Sequence, residues 1–132
     1  MEIITHSTEE TKKFACEIAK KLKPGSTVAL YGDLGSGKTT FTRFLVEALG
    51  VKKRVQSPTF VIARKYGDVN HVDLYRLTSE KEVEDIGVEE LIKDKNAVTV
   101  IEWPEFAEKF LPEDTVRIYF EYVDENSRKI RI

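Results

Sequence analysis

Gly32-Asp33-Leu34-Gly35-Ser36-Gly37-Lys38-Thr39 follows the pattern G-x-x-x-x-G-K-S/T, in which a glycine-rich turn wraps a phosphate. The chemistry requires these residue types. Gly35 and Gly37 can take backbone angles closed to other residues, so successive N–H groups can turn toward one anion. Lys38 supplies a mobile full charge for the β and γ phosphates of a nucleotide, and the Thr39 hydroxyl is short enough to reach Mg²⁺ directly. Before the loop, Thr27 to Tyr31 is an apolar run without alternation, as expected of a strand covered on both faces. After it, Phe41, Phe44, Leu45, Ala48 and Leu49 recur at helical spacing, with Gly50 in the C′ position. Strand, loop and helix are contiguous, and the helix adds its positive end to the anion site. The nucleotide is expected against Asp33, Leu34, Gly35, Ser36, Gly37, Lys38, Thr39 and Thr40.

Working outward, Glu2 to Thr5 reads as a short strand, and Ser7 with Glu10 has the spacing of a helix-starting capping box. Phe14, Ala15, Ile18, Ala19 and Leu22 then mark one helix face, which Pro24-Gly25 ends. Phe60 to Tyr66 and His71 to Tyr75 read as strands joined across Gly67-Asp68-Val69-Asn70. Short helices are expected over Glu80 to Ile86 and Glu89 to Lys93, then a buried strand over Ala97 to Ile101. Thr115 to Val123 and Lys129 to Ile132 form a closing hairpin around Asp124-Glu125-Asn126. No repeat or linker interrupts the series. It predicts a single P-loop ATPase domain over residues 1–132, of class α/β. The architecture is a P-loop NTPase-like three-layer sandwich, its central sheet mostly parallel with antiparallel edge strands or hairpins.

A nucleotide site of this kind needs a carboxylate at the end of a neighbouring buried strand to hold Mg²⁺ or its water. Glu102 falls at the C-terminal edge of the best apolar strand after the loop, where open α/β sheets bind ligands. Asp73 is the competitor: the period of two puts His71, Asp73 and Tyr75 on one strand face, with Val72 and Leu74 on the other. An isolated acid is ordinarily a solvated strand-end charge, and only the phosphate loop favours Glu102 as a ligand. Ser57-Pro58-Thr59 lies where a mobile segment senses the γ-phosphate in many nucleotide switches. Thr59 is the candidate there, against the plainer reading of a Ser-Pro turn. Trp103 reads as a half-buried aromatic beside the site, and Lys52-Lys53-Arg54 and Arg64-Lys65 as solvated basic surface, with contact to a nucleic acid or a partner as the second reading.

Composition narrows the function. The 132 residues carry 21 Lys and Arg against 23 Asp and Glu, a formal charge of −2 that gives no general footprint for DNA or other nucleic acid. Cys16 is the single cysteine, so no internal disulfide or thiolate zinc cluster can form. The polar start MEIITHSTEETKK does not resemble a secretory signal, and no uncharged run approaches the roughly 20 residues of a membrane span. A cytoplasmic, membrane-free protein is expected.

The phosphate loop, Ser57-Pro58-Thr59-Phe60, His71-Val72-Asp73-Leu74-Tyr75-Arg76-Leu77 and Ile101-Glu102-Trp103-Pro104-Glu105, in that order, resemble the TsaE (formerly YjeE) family of small P-loop ATPases. The likeness runs from about Ser7 to Glu105, and Phe60 stands where the family more often has Tyr. The resemblance implies that Lys38 holds the phosphates, Thr39 and Glu102 bind Mg²⁺, Asp73 assists near the metal, and Thr59 belongs to a switch-like segment. It places the adenine near Ser7, Thr8 and Arg128. It also implies a weak, Mg-dependent ATPase serving bacterial tRNA threonylcarbamoyladenosine synthesis. Its partner would be the TsaB–TsaD complex, which transfers the threonylcarbamoyl group from threonylcarbamoyl-AMP to adenosine 37 of tRNA. Contact with tRNA would be indirect or weak, through that complex.

The residues themselves leave rivals. A small-molecule kinase shares the loop but needs an Arg-rich lid, and no such insertion is seen. A guanine reader would carry N-K-x-D, which Lys93-Asp94-Lys95-Asn96 does not match, so ATP is favoured over GTP. A nucleotide-gated binding module without turnover is the third. No arginine is obviously placed as an internal finger, and P-loop hydrolysis without one is slow, so stimulation by a partner is expected.

Overall fold

Apolar runs with no polar face to leave in water are driven to the middle of a sheet, and both such runs lie there. The computed structural model describes residues 1–51 and 63–132. Its strands are β1 (Glu2–Thr5), β2 (Thr27–Tyr31), β3 (Ala63–Tyr66), β4 (Val69–Asp73), β5 (Val98–Glu102), β6 (Val116–Tyr122) and β7 (Arg128–Arg131). They form one sheet in the order β1-β7-β6-β2-β5-β4-β3. The four inner strands β6-β2-β5-β4 run parallel. The flanking pairs β3–β4, β6–β7 and β1–β7 are antiparallel, so the expected mostly parallel sheet with antiparallel edges is what the chain builds.

Helices α1 (Thr8–Lys21) and α2 (Lys38–Ala48) cover one face. There Phe14, Phe41 and Leu45 pack with Val28, Leu30, Val100 and Ile118. On the other face lie α3 (Glu80–Asp85), α4 (Val88–Ile92) and a 3-10 helix, Pro104–Phe110. Val83, Val88 and Ala107 meet Val72 and Ile101 there. Each fully buried Val, Leu or Phe is worth about 1.5–3 kcal/mol of transfer free energy, so the two apolar layers fix which side of the sheet every side chain takes. No helix among the described residues is long and apolar enough to cross a membrane.

Local chemistry sets the element ends. Ser7 caps α1, its hydroxyl accepting from the Glu10 N–H at 3.2 Å. The returning half of the capping box shifts by one residue, since the Glu10 carboxylate accepts from the His6 N–H at 2.6 Å. The N–H groups of Gly50 and Val51 close the end of α2 on the carbonyls of Glu47 and Val46. Strand β4 starts at Val69, after the tight turn Gly67-Asp68, and stops at Asp73, two residues short of the expected Tyr75. The Asp73 carboxylate takes the Tyr75 N–H at 3.0 Å, and that local turn replaces the next step of the ladder. The expected start of β3 at Phe60 lies outside the described residues.

Ser79 caps α3 by accepting from the Glu82 N–H at 3.2 Å, far in sequence from the phosphate loop. Ser79→Ala removes that acceptor at a cost of about 1 kcal/mol. Thermal denaturation should show the melting temperature falling by about 4 °C, and an unchanged value would mean the cap contributes nothing.

Candidate functional site

The loop spans the gap between the end of β2 and the start of α2, at the carboxyl edge of the parallel strands. Gly35 and Gly37 have φ of +79° and +101°. Gly37 is the residue before α2 and offers no side chain to cap it, and the first N–H groups of the helix have no carbonyl within the helix to meet. The Ser36 hydroxyl is buried beside them without a hydrogen-bond partner among the described residues. Leu34 at the tip is 67% exposed, so what it offers is backbone, and Asp33 turns the loop by accepting the Ser36 N–H at 3.1 Å.

Lys38 is almost fully buried. Its ammonium donates to the Gly32 carbonyl and sits 3.3 Å from the centroid of the Trp103 ring. Burial lowers its pKa, opposed by the charges of Glu102, Glu105, Asp73 and Asp33, which favour the ammonium form. Trp103 takes a left-handed conformation, φ +57°, between β5 and the 3-10 helix, and its ring also meets Tyr75, 5.0 Å between centroids. Non-glycine residues rarely hold such angles unless their surroundings impose them.

Glu102 ends β5 with 1% of its surface exposed. The parallel register sets Leu30 opposite it on β2 and Asp73 opposite it on β4. Its carboxylate bridges two elements: the Thr39 hydroxyl donates to Oε1 at 2.9 Å, and His71 Nε2 lies 2.5 Å from Oε2. Asp73 is partly buried, and burial raises its pKa above the ordinary carboxylate value. The Tyr75 N–H pulls it back, Glu102 raises it further, and His71 and Lys38 lower it.

The structure thus brings Lys38, Thr39, Asp73 and Glu102 to one end of the sheet. Thr59, with Ser57, Pro58 and the basic run Lys52-Lys53-Arg54, lies outside the described residues. Beside the loop, a pocket of about 280 Å³ is lined by Ser7, Thr8, Ser36, Gly37, Thr40 and Arg128, so the residues picked for adenine meet the loop. Arg128 reaches it from β7, with Nη1 donating to the carbonyls of Asp124 at 2.6 Å and Ser127 at 2.9 Å, and its guanidinium over the Tyr122 ring. His71 was legible only as a polar residue on the Asp73 face. Its link to Glu102 follows from the neighbouring of β4 and β5, which no local pattern carries.

A Gly-rich loop joining a central parallel strand to a helix, faced by an acid from the next strand, defines a P-loop NTPase-like α/β protein. Comparison with known proteins narrows that class. The family model described as threonylcarbamoyl adenosine biosynthesis protein TsaE matches residues 5–130. This chain belongs to that family, whose members take part in tRNA threonylcarbamoyladenosine biosynthesis. It is 39% identical to the TsaE protein of Bacillus subtilis over 130 residues, which cover 96% of this chain and 80% of that one. With the Aquifex aeolicus TsaE protein it shares 40% identity over 137 residues, 99% of this chain and 94% of the relative. Among solved structures, Bacillus subtilis YdiB superposes with a TM-score of 0.77 at 32% identity, covering 98% of this chain and 82% of that one.

Proposed function

We propose that this protein binds ATP with Mg²⁺ and hydrolyses it as an accessory ATPase of tRNA threonylcarbamoyladenosine synthesis. In that role it works with the TsaB–TsaD complex and is not itself the transferase. The observation that carries the ATP reading is the 2.9 Å contact between Thr39 of the loop helix and Glu102 of β5, beside a buried lysine. The partner assignment rests on the family resemblance.

The residues present fit a Mg–nucleotide group. The Ser36 hydroxyl, without a hydrogen-bond partner among the described residues, and the uncapped N–H groups after Gly37 suit phosphate oxygens. Thr39 and Glu102 are hard oxygen donors already side by side. Among the described residues no group of three or more His, Cys, Asp or Glu is arranged to hold a metal by itself. A Mg²⁺ held by one or two side chains together with phosphate oxygens needs none. When bound, the ion supplies positive charge against the β and γ phosphates.

Lys38 would leave Gly32 and Trp103 for the phosphates, a full charge brought to where negative charge accumulates on the leaving oxygens. Thr39 and Glu102 would hold the metal, Asp73 would orient water at the same end, and Thr59 is assigned to the segment that senses the γ-phosphate. Ser7, Thr8 and Arg128 would line the base. Arg128 is tethered to the carbonyls of Asp124 and Ser127 on the pocket side of the loop. A chain that relies on an arginine from outside hydrolyses slowly alone.

The test is ATP turnover with Mg²⁺, alone and with TsaB–TsaD. Turnover should be slow alone and rise at least about tenfold with the complex. Phosphate transfer to a metabolite without hydrolysis would point to a kinase instead, and tight ATP binding without stimulation would point to a nucleotide-gated module.

A further inference from the structure

His71 has no role among the residues assigned to the nucleotide, yet it is fully enclosed beside them. Its relative exposure is 0%, and among the described residues its hydrogen-bond partner is Glu102, at 2.5 Å from Nε2 to Oε2. Nδ1 is buried with no hydrogen-bond partner among the described residues. A buried imidazole with one nitrogen unsatisfied is costly to keep. The core offered an apolar alternative, since Val69, Val98 and Val100 occupy the same layer.

We propose that His71 is a positioning residue for the divalent cation: it clamps Oε2 of Glu102 so that Oε1 is presented to Thr39 and to the metal. This rests on the Mg–nucleotide reading of the site. The geometry carries it. A glutamate has three rotatable bonds, and at the end of β5 its carboxylate could swing among several positions. His71 stands on β4 opposite Val100, so it meets Glu102 diagonally across the parallel pair, within reach of a long side chain. The two carboxylate oxygens are divided between two donors, His71 from the sheet and Thr39 from the helix. Holding one oxygen by a fixed ring orients the other, the part that residues behind a metal's own ligands play in many sites.

The experiment compares His71→Gln, whose amide keeps an N–H donor near the Nε2 position, with His71→Met, of the same length but with no donor. Binding of the imido-bridged ATP analogue is followed through Trp103, the single tryptophan, with EDTA and then across a Mg²⁺ titration. Binding without metal should stay within about twofold in both variants, because the loop and pocket are untouched. The Mg²⁺ concentration for half of the metal-dependent tightening should rise about 10- to 100-fold in His71→Met and no more than about threefold in His71→Gln. His71→Asn, too short to reach Glu102, stands in for His71→Met should the latter not fold. Unchanged Mg²⁺ dependence in His71→Met, or equal losses in Gln and Met, overturns the inference while the nucleotide reading stands. Analogue binding by the wild-type chain that ignores Mg²⁺ removes both.

Discussion

On the proposed function, Glu102→Gln should lower ATP turnover in the presence of TsaB–TsaD by about 100-fold or more, the size of effect seen when one preorganised electrostatic contact to a phosphoryl or acyl transition state is lost. Glutamine keeps the shape of the side chain, with one oxygen that can accept from His71 and an amide that can donate to the Thr39 hydroxyl, so the buried contacts at 2.9 Å and 2.5 Å can both be kept with the Thr39 bond reversed. What disappears is the negative charge. Alanine would be a poorer probe, because it leaves His71 buried with neither nitrogen satisfied and mixes a folding defect with a chemical one. Binding of the nucleotide without Mg²⁺ should change little, while its tightening by Mg²⁺ should be lost. If turnover in Glu102→Gln equals that of the wild type, the metal is not held at β5. Asp73, opposite Glu102 in register and on the same face, then becomes the carboxylate to test.

Why the sequence identified this acid but not its contact with His71 is a matter of range. The loop, the strand before it and the helix after it are local patterns, and each is found where the residues predict it. Ser7 and Glu10 likewise form the cap that their spacing predicts. Glu102 was legible because it ends an apolar run, and such runs end at the ligand edge of a parallel sheet. The 3-10 helix Pro104–Phe110 was not, since it depends on Trp103 holding a left-handed conformation under Lys38 and Tyr75. His71 reads locally as one polar residue in an alternating strand. Its meaning depends on which strand lies beside β4, and strand order is decided by packing of the two apolar layers, not by any window of sequence. The pairing of β1 with β7, which carries Arg128 toward Ser7 across nearly the whole chain, is equally non-local.

Gly32→Ala should be the most destabilising alanine substitution among the seven glycines. Gly32 opens the loop at φ +144°, and a Cβ built there would lie 2.6 Å from the Phe120 carbonyl oxygen and 2.7 Å from the Ser36 hydroxyl. Ser36 could rotate away. Phe120 cannot, because its oxygen belongs to β6, whose register against β2 is fixed by Leu30 opposite Ile118 and Tyr31 opposite Tyr119. Relief therefore requires parting two central strands or tilting the loop off its helix, and overpacking of this kind costs about 1–3 kcal/mol before backbone strain is added. The melting temperature should fall by about 10 °C, and nucleotide affinity should fall with it, because the same movement displaces the carbonyl on which Lys38 rests. Gly50→Ala supplies the contrast: φ there is +94°, but nothing lies within 4 Å of the added Cβ. Only the left-handed conformation is penalised, by about 1–2 kcal/mol, and the loop is not involved. A drop at Gly32 no larger than that at Gly50 would mean that the strand end yields and that the first glycine of the motif is there for its backbone angle alone. A larger drop, accompanied by weakened nucleotide binding, would mean that β6 sets the height at which the loop leaves the sheet, and so where Lys38 and Thr39 meet the phosphates.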